Sequence, residues 1–183
     1  TNTNWEKLAF NDDSKTKLID ISAQGGNDKT RFFISGGFND QDGILFGNNF
    51  QRISSRFNLD HDASNKVKIG FNFSLSRTIA NRVADDNEFY TPMQIVALAP
   101  ITPVRNQAGV LYDRPTTTYY NPLIELEDSR YVSTGFRNIG GLYFNYKFTP
   151  GLIFKSEFGV DLQNQSDDRF YGFRTIIGQS TNG

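Results

Sequence analysis

The sequence predicts an all-β fold, a section of an antiparallel, up-and-down transmembrane β-barrel. Six segments alternate apolar and polar residues, and short turns alternate with longer connections between them. Successive side chains of a strand point to opposite faces, so each such segment has one apolar and one polar face. The clearest segment has about eleven residues; tilted by about 45°, it rises roughly 25 Å, the height of the apolar band of an outer-membrane barrel. Strands of soluble proteins more commonly have about 5–6 residues.

Four predicted strands precede a long insertion. In the fourth, Val67, Ile69, Phe71, Phe73 and Leu75 alternate with polar or small residues. Glycine and asparagine accept the positive φ of tight hairpins, so Gly25-Gly26-Asn27-Asp28 is predicted to make the first turn. A second short turn is expected at 62–65. The four strands are predicted at about 17–24, 29–39, 50–61 and 66–76.

Two further strands are predicted at about 135–148 and 152–163, joined by a turn at Pro150. The long insertion before them spans about 80–134. In outer-membrane barrels the periplasmic turns are short and the extracellular loops are long. We therefore expect the 80–134 loop outside the cell and the three short turns at the periplasmic rim. Tyr146, Phe148 and Phe154 lie near that rim, where an aromatic girdle is expected.

Six strands cannot close a barrel of this kind. The smallest single-chain barrels need about eight strands, and an open sheet edge in lipid leaves unpaired backbone groups that cost several kcal/mol each. We therefore expect the sequence to be part of a larger protein, with additional chain, including an export signal, before Thr1.

Composition argues against several other classes. Charge is nearly balanced, with 19 basic and 20 acidic residues, so electrostatics give no reason to expect nucleic acid binding. Cysteine is absent and His61 is the single histidine, which leaves little material for a metal cluster or a nucleophilic relay. Asp85, Asp86 and Glu88 contain oxygen ligands for calcium, but their spacing is not that of an EF-hand and favours a solvated loop. We predict no enzyme, no cofactor and no metal site.

The long insertion contains the predicted contact residues. Pro92 at a first helical position and Pro100 as a stop predict a short helix over about 92–98. Aromatic and polar side chains nearby suit stacking and hydrogen bonding to sugars or peptides. The alternative is a loop that packs on itself, and it is the favoured one. The candidate ligand or lid contacts are Tyr90, Met93, Tyr112, Asp113, Arg114, Tyr119 and Tyr120.

Several ordered matches carry a family resemblance. They are the segment 21–38, then Asp42-Gly43-Ile44, the segment 56–61, Lys68-Ile69-Gly70 and Asn121-Pro122-Leu123. In this order and spacing the sequence resembles the early barrel strands of the SusC/RagA family of TonB-dependent transporters, over about 5–161.

The resemblance implies a 22-stranded outer-membrane barrel of the Bacteroidetes with an N-terminal plug, which is not in this sequence. It also implies a SusD-like surface lipoprotein as a lid, contacted by the 92–98 helix, and energy from the TonB complex through parts outside this sequence. The implied cargo is a glycan or peptide.

Two other classes remain as alternatives. A passive outer-membrane porin would have the same strands around an open channel, without a plug. A soluble β-sandwich, such as a carbohydrate-binding module, would pack its apolar faces on a second sheet instead of lipid. Strand length and the alternation of turns and loops favour the transmembrane barrel over the sandwich.

Overall fold

A computed structural model describes residues 2–83, 93–114 and 120–181. Six strands form one antiparallel sheet in which each strand pairs with its neighbours in sequence, which confirms the predicted up-and-down order. No helix in the described ranges is long and apolar enough to span a bilayer. The strands are β1 (Thr16–Gly26), β2 (Thr30–Asp42), β3 (Asn49–Asp62), β4 (Val67–Arg82), β5 (Ser129–Thr149) and β6 (Leu152–Tyr171). The helices are α1 (Trp5–Ala9), α2 (Met93–Ala97), α3 (Pro122–Asp128) and α4 (Ile176–Thr181).

The strand register places apolar residues of neighbouring strands side by side on one face of the sheet. Phe71 lies between Leu59 of β3 and Leu142 of β5. The row continues to Phe32 on β2 and Phe158 on β6. Phe158 is 70% exposed although it is large and apolar. A contiguous exposed surface of this kind marks contact with a membrane or another protein.

Three strands extend well beyond their predicted bounds at the end opposite the short turns, and β2 extends slightly, to Asp42 rather than about 39. β4 continues to Arg82, β5 begins at Ser129 rather than near 135, and β6 ends at Tyr171 rather than near 163. The connection between β4 and β5 is therefore 83–128, shorter than the predicted 80–134. On the outward face of the added segments, polar residues interrupt the apolar ones: Asn81, Arg130 and Asp168 stand among Ile79, Val132 and Phe170, and Arg130 pairs with Asp168 at 2.8 Å. Because the apolar residues no longer recur at every second position there, apolar alternation gives no clear signal.

The first hairpin turn uses glycine for space rather than for conformation. Among the described glycines, a positive φ occurs at Gly47 and Gly109, so the positive φ expected at Gly25 and Gly26 was wrong. A Cβ atom on Gly26 would lie 2.2 Å from the carbonyl oxygen of Thr30 across the turn. The Asn27 side-chain oxygen closes the turn by accepting hydrogen bonds from the backbone N–H groups of residues 29 and 30.

Most of the buried apolar residues in the described part of the chain lie at the loop end, and Tyr131 of β5 is the one that belongs to a strand. Trp5, Ala9, Ile95 and Leu98 form one cluster, so α1 packs on α2 and the residues after it. The indole N–H of Trp5 donates to a carbonyl of the same connection, that of residue 99, at 3.3 Å. The segment before β1 and the β4–β5 connection thus form one packed unit.

Two short helices fix the path of that connection. The helix predicted over about 92–98 is confirmed as α2, while Pro92, its predicted first residue, lies outside the described residues. α3 was not predicted, although Asn121 caps it by accepting from the Leu123 N–H at 3.1 Å and Pro122 stands at its first turn. Both are ordinary helix-start signals.

Candidate functional site

The face opposite the apolar one holds a shallow trough, which is our candidate site. Its floor is Ser76 and Thr78 of β4 with Ser133 and Gly135 of β5. Small residues are needed at this point, because a Cβ atom on Gly135 would lie 2.5 Å from the Thr78 hydroxyl. The cavity is about 360 Å³. Its rim is formed by Phe50, Arg82, Arg137, Gln163 and Gln165.

One ion pair fixes the rim on the side toward the short turns. Arg137 donates from Nε to Asp161 Oδ1 at 3.0 Å and from Nη2 to Oδ2 at 2.6 Å. Such a two-point contact holds the plane of the guanidinium group. Both side chains are about half exposed, at 49% and 50%, so water and solutes reach the pair.

A cluster of arginine and tyrosine closes the other side of the trough. Tyr131 is only 6% exposed. The guanidinium carbons of Arg82 and Arg169 lie 5.0 and 4.1 Å from its ring centroid, and both groups donate to its hydroxyl, at 3.2 and 2.9 Å. Cation–π and hydrogen-bond contacts therefore hold two like charges around one ring.

Asp167 supplies a fixed negative charge beside this cluster. The Tyr131 hydroxyl donates to Asp167 Oδ2 at 3.4 Å. This part of β6 lies beyond Leu162, its last residue in the continuous apolar rows. Hydrogen bonds from Ser133 and then Gln165 hold the pKa of the Asp167 carboxyl below its ordinary value. Asp167 is therefore ionised at neutral pH.

A second cavity of about 180 Å³ lies among the loops, next to the trough. Leu45, Phe46, Ile95 and Leu126 line it, and it is bounded by Tyr131. Arg82 lines both cavities. The loop cavity is mainly apolar in its side chains, while the trough is mainly polar.

The described contact residues predicted from sequence lie away from the trough. Arg114 stacks on Tyr120, with its guanidinium carbon 4.1 Å from the ring centroid, and donates to the Tyr120 hydroxyl. The Asp113 carbonyl accepts from Asn121 at 2.9 Å, and Tyr112 is 39% exposed. Met93 is the first residue of α2, while Tyr90 and Tyr119 lie outside the described residues. A ligand or lid contact at these residues stays a prediction.

The trough residues were not singled out from sequence, although a signal exists. Small or polar residues recur at every second position of both strands. They are Ser76 and Thr78 on β4, and Gly135 and Arg137 on β5. Strand register is needed to bring Gly135 opposite Thr78, and an apolar pattern alone cannot supply it.

The described residues contain no group of three or more metal-ligating side chains that could hold an ion. The acidic residues Asp85, Asp86 and Glu88 lie outside them. His61 is hydrogen-bonded through Nδ1 to the Thr30 hydroxyl at 2.8 Å, at the end of β3 near the short turn.

No protein-family model matches the chain. TonB-dependent receptor P3 of Formosa agariphila is 25% identical over 196 residues, which cover 100% of this chain and 19% of that protein. TonB-dependent receptor P39 of the same organism is 24% identical over 162 residues, 86% of this chain and 15% of that protein. The chain therefore spans less than a fifth of the length of these curated relatives.

Solved structures agree with the fold. The RagAB peptide importer in its closed-closed state matches with a TM-score of 0.71 and 21% identity, over 92% of this chain and 20% of that one. Its open-open state matches with a TM-score of 0.72 and 23% identity, over 91% and 19%. The fold is that of a section of such a barrel, and the predicted resemblance to TonB-dependent transporters of the SusC/RagA type is confirmed.

Proposed function

We propose that this chain, a six-strand section with the fold of a TonB-dependent barrel, forms part of the wall of an active importer in the outer membrane. The observation that carries the proposal is the separation of the two faces. The strand register aligns five apolar residues in one row across five strands. They are Phe32, Leu59, Phe71, Leu142 and Phe158. On the other face the same strands present hydroxyl, amide and charged groups around the trough.

The apolar face would contact outer-membrane lipid. Near the Pro150 turn, the rings of Tyr146 and Phe148 meet edge-to-face with centroids 4.8 Å apart, and Phe154 pairs across the strands with Tyr146. Amphipathic aromatic rings favour the boundary between hydrocarbon and water. This arrangement supports the periplasmic rim at the short turns and the outer surface at the loops.

The loop end would meet a SusD-like surface lipoprotein that acts as the lid. The packed cluster around Trp5 gives the loops a rigid base. In the same connection Ile101 is 79% exposed, and Val110 is 51% exposed in a hairpin closed by the Asn106 N–H donating to the Val110 carbonyl. Energy would come from the TonB complex through parts of the protein outside this chain.

The cargo would be an oligosaccharide or a peptide. The RagAB importer that shares this fold is named for peptides. The curated relatives are named as receptors rather than enzymes, which supports transport without bond chemistry.

Energy dependence separates this proposal from a passive porin. Cells with and without the gene are first compared for growth on peptide or glycan hydrolysates, which identifies the class of cargo. Uptake of that cargo is then measured with and without a protonophore, and in cells without TonB. We expect uptake to be lost in both cases. Uptake that continues at the same rate would point to a porin.

A β-sandwich is the second alternative, and cell fractionation tests it. The described strands form a single sheet with no second sheet on the apolar face. We expect the full-length protein in the outer-membrane fraction, released only by detergent. Recovery in the aqueous fraction without detergent would support the sandwich.

A further inference from the structure

We infer that the trough binds a carboxylate group of the cargo, so that the importer favours acidic oligomers. This inference rests on the proposed function, because it requires the polar face to line the lumen. The volume of the trough is about 360 Å³, which is near the lower end of the range for ligand pockets, about 300–1,000 Å³.

Among the described residues, the charged side chains that line the trough itself are positive, while Asp161 and Asp167 lie just outside the lining, hydrogen-bonded to Arg137 and Gln165. Among the described residues that line the trough, two are arginines, Arg82 and Arg137, and none is an aspartate or glutamate. A third guanidinium is close, since Arg52 on β3 pairs directly with Thr78 of the floor and has an exposed side chain on the same face. Cationic side chains around one hollow attract an anionic ligand.

Arg137 is the residue best placed to receive that anion. A guanidinium has five N–H groups. The N–H on Nε and one N–H on Nη2 of Arg137 donate to Asp161. The other N–H groups of the guanidinium can therefore donate to a ligand. Both side chains of the pair are half exposed, so a cargo carboxylate can reach the guanidinium and share it with Asp161. Planar two-point binding of carboxylates is the contact that arginine favours.

The other trough groups suit the rest of an acidic oligomer. The hydroxyls of Ser76, Thr78 and Ser133 and the amide of Gln163 can bind sugar hydroxyls or peptide groups. Phe50 adds an aromatic surface at the rim on which a ring can stack. This combination fits acidic oligosaccharides and acidic peptides alike, with the carboxylate as their shared chemistry.

The test uses the full-length protein, purified with its lid in detergent, and measures affinity by calorimetry. The first probe is a tetramer of galacturonic acid, compared with its neutral methyl ester. The second is an aspartate-rich peptide, compared with the same peptide carrying asparagine. Preference for one acidic probe over the other identifies the source of the carboxylate.

Two variants of one ion pair should move the affinity in opposite directions. Arg137→Gln should weaken binding of the acidic probe about tenfold and leave the neutral probe unchanged. Asp161→Asn should strengthen binding about two- to fivefold, since Arg137 is then released from its exposed partner. The matched control is Arg77→Gln on β4, whose side chain lies on the opposite face between Ile53 and Phe136, and which should change nothing.

Several results would overturn the inference. Equal affinity for acidic and neutral probes, or no binding of either acidic probe, would do so. An Arg137→Gln protein with a lower thermal midpoint and an unchanged acidic affinity would mean that the arginine supports another part of the protein inside the barrel. These binding results do not depend on membrane location or on sensitivity to a protonophore, so failure of the proposed function would be seen separately.

Discussion

Replacement of Phe71 by arginine tests whether the apolar face contacts lipid. Phe71 is the third of the five consecutive outward apolar residues from Val67 to Leu75 on β4, so it lies near the middle of the band. Arginine on the lipid face costs about 2–4 kcal/mol at the bilayer midplane and about 0–1 near the interfaces. Phe71→Arg also removes the ring contacts with Phe57 and Phe73, each with centroids 6.0 Å apart. We therefore expect the free energy of unfolding to fall by about 2–4 kcal/mol or slightly more.

Two control variants isolate the contribution of lipid. Phe71→Leu keeps an apolar side chain and should cost much less than the arginine. Asn72→Arg places the same charge one residue along the strand, on the polar face beside Asn58 and Gly141, where there is space and water. It should be nearly neutral. The assay is a urea titration of the full-length barrel in lipid vesicles. Equal losses for Phe71→Arg and Asn72→Arg would refute the assignment of the two faces.

Three further predictions test local structure. Gly26→Ala should destabilise the barrel by about 1–3 kcal/mol in the same titration, because the new Cβ meets backbone at 2.2 Å, whereas Gly151→Ala has open space and should not. Trp5→Ala should speed protease cleavage of the β4–β5 connection with the sheet intact, since it empties the loop cluster, while the partly exposed Leu8→Ala should not. The pKa of Asp167 is lowered from 3.8 in the folded state, so its stabilisation is present above about that pH and lost as pH falls through the lower folded value. The protection of the amides at the start of β5, measured as the exchange rate relative to the intrinsic rate at each pH, should therefore fall in acid, and Asp167→Asn should remove that dependence.

The alternation of apolar and polar residues was enough to predict the strand order and the apolar face of the sheet. The apolar residues of β4 were expected on one face, and the register places that face in line with Leu59 and Leu142. Short turns were expected near Asn27, Ser64 and Pro150, and the structure has a strand on each side of every one. The antiparallel pairing of those strands was predicted from the turns. Such a prediction works because a shift of one residue would turn the whole apolar set to the other face.

The candidate site depends on features that alternation does not carry. Arg82, Tyr131 and Arg169 meet only because β4, β5 and β6 extend beyond the regular apolar rows, where polar residues interrupt the outward face as well. The loop cluster joins Trp5 to Ile95, residues far apart in sequence that share no local signal. Both are consequences of register and of long-range packing, which local sequence patterns cannot specify.

Cysteine accessibility on β4 tests the central claim most directly. This chain has no cysteine of its own, so single cysteines can be placed at positions 71, 72, 73 and 74 of the full-length protein in the outer membrane. A small, charged thiol reagent should label Asn72→Cys and Ser74→Cys from the lumen and leave Phe71→Cys and Phe73→Cys unreacted in lipid. Equal labelling at all four positions, or the opposite alternation, would contradict a barrel wall with its apolar face in the membrane.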